Sequence, residues 1–171
     1  FENPSMLKLD PPDHSRIRKL VQYGFTNRYI TSLEPEIKKI VEDCLNKVHN
    51  QDSFDLIEDL AKPLPAIVIA KMMGLPNEDL DQFQAWSEDL LVGVGGIGTS
   101  REDIKKSGDA YEALINYFEE IILSRKNSPG DDFIGKLIQA EEEGDKLNIK
   151  EMYGTCLLLL IAGHETTTRL I

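Results

Sequence analysis

LLLLIAGHETTT, residues Leu157 to Thr168, is the stretch on which the reading of the whole chain turns. Five consecutive aliphatic residues, Leu157 to Ile161, make a helix apolar on all sides, and such a helix is buried. The residues after Ile161 do not suit a core. A buried carboxyl such as that of Glu165 is costly unless paired or neutralised, and glycine and threonine are weak helix formers. Residues three and four apart share a face, so Leu158, Ile161, Ala162 and Thr166 line one stripe, with Gly163 beside Thr166. Ala162 and Gly163 leave a shelf without side chains, open to a flat or bulky body. Thr166 sets a hydroxyl at its edge, with Glu165 next to it as a proton source. Gly163, and Thr166 bonding back to a carbonyl one turn earlier, are also ordinary causes of a kink. The pattern reads as proton delivery over a bound group. A plainer reading is an i, i+4 ion pair between Glu165 and Arg169 on a fraying helix end.

A second patterned stretch lies near the start, LDPPDHSRIRKL from Leu9 to Leu20. Asp10 suits an N-cap, Pro11 the first helical position and Asp13 the acid of a capping box. These signals predict a helix from Pro11 towards Gly24. His14 and Arg18 share a face there, and two cationic donors on one face suit a carboxylate or phosphate.

Ala162-Gly163-His164-Glu165-Thr166-Thr167 resembles the central helix of the cytochrome P-450 haem-thiolate monooxygenases, whose pattern is small-Gly-x-acid-Thr-Thr/Ser. Leu9 to Leu20, with Phe25-Thr26 after it, is similar to the third helix of the soluble bacterial or archaeal type. The resemblance implies haem b and O2 as cofactors, with electrons ultimately from NAD(P)H. It implies that Ala162 and Gly163 lie over the haem and that His14 and Arg18 hold its propionates. Glu165 and Thr166 become the acid–alcohol pair that supplies protons, and Leu158, Ile161, Ala162 and Thr166 face a small apolar substrate. Arg16 and Lys19 lie off the His14/Arg18 face and are expected to point outward, towards an acidic ferredoxin- or flavodoxin-type electron donor.

The same resemblance shows what is missing. The family takes its thiolate from a cysteine in a Phe- and Gly-rich loop and also uses a Glu-x-x-Arg pair, and neither occurs here. No metal ligand is therefore assigned, since Cys44 and Cys156 stand in helical sequence. The chain begins at Phe1 and stops at Ile171 within helical sequence. Residues 1–171 are expected to form a single helical portion of a catalytic domain, truncated at both ends and inactive alone.

The net charge of -11 argues against nucleic acid as a partner. The acidity is uneven: His14 to Leu33 holds Arg16, Arg18, Lys19 and Arg28 and no acid, a basic patch suited to steering an acidic partner. Two distant cysteines without metal-type spacing are expected to be buried free thiols in a reducing, cytoplasmic setting. No apolar run reaches the ~18 residues of a membrane span.

Elsewhere the periodicity is helical. Leu33, Ile37, Ile40, Val41, Cys44 and Val48 form one apolar stripe, and Ser53 to Ile57 suits a short strand or an extended link. Asp59 to Met73 reads as a helix with Pro63 and Pro65 near its start and Gly74 as its cap. Helices over about 77–92 and 102–126 flank Gly93 to Ser100, whose four glycines lack the register and the Lys-Ser/Thr pair of a phosphate loop. In the resembling family this is a mobile loop between two lid helices. Ser128-Pro129-Gly130 breaks the chain, a helix begins at Asp131, Glu141 to Asp145 reads as a solvated turn, and Asn148 caps the final helix. The expected fold is mainly α, a multi-helix portion of the cytochrome P-450 fold with at most one or two very short strands. The competing function is a non-catalytic helical binding or adaptor module. The ligand domain of a transcriptional regulator is disfavoured by Glu165 and by the lack of a basic recognition helix.

Overall fold

The computed structural model describes residues 3–93, 99–141 and 144–171. Eight α-helices occur among them: α1 (Asp13–Gln22), α2 (Asn27–Ser32), α3 (Glu34–Val48), α4 (Pro63–Met72), α5 (Leu80–Val92), α6 (Arg101–Arg125), α7 (Phe133–Gln139) and α8 (Ile149–Leu170). No β-strand is present among the described residues. The stretch from Ser53 is a link, not a strand, and a π-helical turn over Ile57–Ala61 leads into α4. Most of the glycine-rich link, residues 94–98, and the two central acids of the Glu141–Asp145 turn lie outside the described residues.

Local chemistry fixes the long helices. Ser100 and Asp103 close a capping box at the start of α6, and Asn148 and Glu151 close another at the start of α8. α4 ends where Gly74 takes φ +72°, and a Cβ there would also lie 2.4 Å from Asp132. Arg125, at the end of α6, pairs with Asp132 at 2.8 Å and donates to the carbonyls of Met73 and Gly74. One guanidinium thus ties together the ends of α4 and α6 and the start of α7.

α1 departs from expectation. It begins at Asp13 rather than Pro11, without a side-chain cap. Pro11 precedes a second proline, and a residue in that position is kept out of the α region. Asp10 contributes through its carbonyl, which accepts the His14 N–H at 3.1 Å.

α5 and α6 pack side by side, joined by an edge-on contact of Phe83 with Phe118 and by a 2.8 Å bond from the Ser107 hydroxyl to the Leu90 carbonyl. α8 runs against α4, α5 and α6. The first half of α8 is core, with Cys156 and Leu160 fully buried in the same cluster as Leu90, Leu114, Phe118 and Ala70. α1 enters the same core through Ile17, Leu20 and Val21. No helix among the described residues is long and apolar enough to cross a membrane.

Candidate functional site

α8 changes character at Ile161. Before it, Glu151 to Leu157 and Leu160 are buried; after it only His164 is. Leu158 and Ile161 are half-buried, while Ala162 and Thr166 are exposed. These four form the stripe that their spacing predicts, apolar at one end and bare at the other. The Thr166 hydroxyl donates to the Ala162 carbonyl at 2.5 Å, and that of Thr168 to the His164 carbonyl at 2.9 Å. The threonines thus satisfy themselves on their own helix, as hydroxyls at such positions do.

Gly163 has a packing role as well. A Cβ there would sit 2.9 Å from Cδ1 of Ile69 on α4, so the absent side chain lets the two helices approach. The open part of the shelf is Ala162.

Beside the stripe lies an apolar pocket of about 200 Å³, where Leu158 and Ile161 meet Ser5 and Leu7. Those last two belong to the segment that leads into α1. This segment is pressed onto the helix: a Cβ on Gly154 would lie 2.0 Å from the Pro4 carbonyl oxygen. The approach to α1 therefore runs along the face of α8 that ends in the shelf.

Glu165 is turned 100° from Thr166 and faces a different space. It accepts from Arg169 at 3.1 and 2.8 Å, so the expected ion pair exists. The same carboxylate lines a cleft of about 480 Å³ shared with Glu88, Asp89 and Lys62. Acid and alcohol straddle the helix, one towards the cleft and one towards the shelf.

His164 carries no role in the sequence reading, yet it is only 3% exposed. Its Nε2 lies 3.2 Å from the Lys62 carbonyl, which makes Nε2–H the donor, and Nδ1 is buried without a partner among the described residues. Burial pulls its pKa below the ordinary histidine value, partly opposed by that carbonyl contact. Its spacing, four from Leu160 and seven from Leu157, is the signal that would have placed it inside.

On α1, His14 is half-buried and Arg18 exposed, on one flank of the buried Ile17–Leu20–Val21 stripe. Neither side chain has a hydrogen-bond or ion-pair partner among the described residues. Arg16 corrects an expectation: it does not point outward. It lies on the other flank and pairs with Glu151 and, at 3.4 Å, with Asp145. The buried carboxylate of Glu151, 7% exposed, needs a counter-charge. Lys19 and Arg28 remain exposed.

Cys44 and Cys156 are buried and free. Burial pushes both thiols up, that of Cys156 to about 12. Both sit enclosed in the helical packing, Cys44 at 3% and Cys156 at 0% exposure, rather than on an open loop.

A cytochrome P450 family model matches residues 1–170. A cytochrome P450 of Bacillus subtilis is 40% identical over 166 residues, which cover 97% of this chain and 40% of the relative. The ligand-free structure of cytochrome P450 TbtJ1 superposes with a TM-score of 0.90 at 37% identity, over 98% of this chain and 44% of that one. CYP109E1 from Bacillus megaterium, in complex with testosterone, gives 0.88 at 38% identity, over 96% and 43%. The chain thus spans about two fifths of the length of the relatives it matches.

Proposed function

The chain belongs to the cytochrome P450 family, and from that premise we propose that the whole protein is a haem-dependent monooxygenase that hydroxylates a small apolar organic substrate. The observation that carries this reading is the exposure of Ala162 and Thr166 on a helix whose other half is core. A porphyrin needs a flat bare face and cations for its carboxylates. The residues present fit both needs: Ala162 offers a face no larger than a methyl group, and His14 and Arg18 are donors with no other partner among the described residues. Haem b, when bound, supplies the activation of O2 and the transfer of an oxygen atom, with electrons ultimately from NAD(P)H.

The remaining work falls to side chains of this chain. His14 and Arg18 hold the propionates, the guanidinium in its forked mode. Thr166 holds a proton at Oγ1, beside the shelf. Glu165, held by Arg169, exchanges protons with water in the cleft on another side of the helix; no bond joins it to Thr166 among the described residues, so its general-acid role runs through solvent. Leu158, Ile161 and Leu7 orient the substrate and exclude water. The testosterone complex of CYP109E1 supports an apolar body as the ligand. An acidic ferredoxin- or flavodoxin-type donor meets the exposed basic patch at Lys19; Arg16 is occupied elsewhere.

Neither cysteine here suits the iron, so the 171-residue chain alone gives no thiolate-ligated haem and no turnover. The test is the absorption spectrum of the reduced, CO-treated protein. The full-length form is expected to show thiolate-bound haem and the 171-residue chain to lack it. A full-length protein that takes up no haem is what a non-catalytic helical module predicts, and would overturn the reading.

A further inference from the structure

We infer that Arg16 is a positioning residue: its ion pair with Glu151 fixes the roll of α1 and so aims His14 and Arg18 at the haem propionates. The inference rests on the haem reading of α1 and adds to it a residue that touches no cofactor.

α1 is held to the core by one apolar stripe, Ile17, Leu20 and Val21. Hydrophobic contact is non-directional, so such a stripe anchors a helix while leaving its rotation about its own axis softly defined. Successive residues turn by 100°, which puts Arg16 on one flank of the stripe and His14 with Arg18 on the other. A directional bond at one flank therefore sets where the opposite flank points.

The bond from Arg16 is of that kind. Glu151 has a 7% exposed side chain, and its Oε2 also accepts the Asn148 N–H at 2.8 Å within the capping box of α8. Its carboxylate is thus fixed before Arg16 reaches it. The guanidinium bonds Oε1 through one nitrogen and lies 3.5 Å from Oε2 and 3.4 Å from Asp145 through another. This planar, forked contact constrains orientation as well as distance. Partners are 135 residues apart in the chain, and they join the helix that grips the propionates to the start of the helix that carries the shelf. Removing a group that orients metal-ligating side chains typically costs roughly 10–100-fold in metal affinity or activity, and the same order is taken for side chains that grip propionates.

The test uses the full-length, haem-loaded protein and follows haem transfer to excess apomyoglobin. Arg16→Ala and Glu151→Gln are each expected to speed transfer roughly tenfold, and the double variant no more than either alone. Arg16→Lys keeps the charge and loses the fork; an intermediate rate with unchanged helical content is expected, and it decides the matter should Arg16→Ala fail to fold. Lys38→Ala, at an exposed pair on α3, is expected to leave transfer unchanged. Arg18→Ala tests the underlying site, and faster transfer is expected. If Arg18→Ala accelerates transfer while Arg16→Lys and Glu151→Gln lower only the unfolding midpoint, Arg16 is merely structural and the inference fails alone. If Arg18→Ala has no effect, the propionate site fails and takes the inference with it.

Discussion

The two halves of α8 are built to opposite rules on one continuous helix. From Glu151 to Leu160 nearly every side chain is buried, even the carboxylate of Glu151, which is paired with Arg16 and accepts the Asn148 N–H. From Ile161 to Leu170 burial is confined to His164, and the hydroxyls of Thr166 and Thr168 bond back to their own helix. One half anchors the helix in the core. The other is thereby free to carry groups that a core would not tolerate. For the proton-delivering role proposed for the exposed stripe, rigidity next to it is what would hold such groups in a productive geometry.

The largest separation between the halves should appear on truncation. Leu160→Ala, at a fully enclosed site, is expected to cost about 3 kcal/mol of unfolding free energy, read from urea denaturation. Thr166→Ala is expected to change stability by less than about 0.5 kcal/mol. It should instead slow product formation, on the order of 10²-fold, in the full-length protein. Equal stability losses at the two sites would erase the distinction.

A finer cut falls between neighbours. Gly163 faces Ile69 and Ala162 faces open space. Gly163→Val should cost about 1–3 kcal/mol through overpacking, and Ala162→Val well under that. The reverse order would mean that the bare face had been assigned to the wrong residue.

The smallest effect concerns His164, the buried exception in the open half. Its pKa is depressed in the folded state, so the unfolded chain binds the proton more readily. Stability from this group is complete above the unfolded value of about 6.5 and declines as pH falls below it towards the folded pKa. His164→Asn should flatten that dependence between neutral and mildly acid pH. The groups facing the imidazole, Glu88 and Glu165, are carboxylates that favour its charged form, which keeps the expected slope shallow.

What is legible in the sequence is mostly local. The cap at Asn148, the glycine stop at Gly74 and the stripe from Leu158 to Thr166 depend on neighbours within two turns, and all are found as expected. The start of α1 lies two residues beyond its expected place, because the cap pattern at Asp10 competes with the constraint that Pro12 places on Pro11. Arg16 differs altogether from its expected outward setting. Its partner lies on α8, and no local pattern distinguishes an arginine facing solvent from one facing a distant buried carboxylate. His164 is legible by spacing, but a histidine between glycine and glutamate does not read as core until its Lys62 partner is seen.

The most direct measurement is a crystal structure of the haem-loaded full-length protein. The porphyrin face is predicted in van der Waals contact with Ala162, at about 3.5–4 Å, with its propionates bonded by His14 and Arg18. A porphyrin seated against another face of α8, or one whose propionates point away from α1, would contradict it.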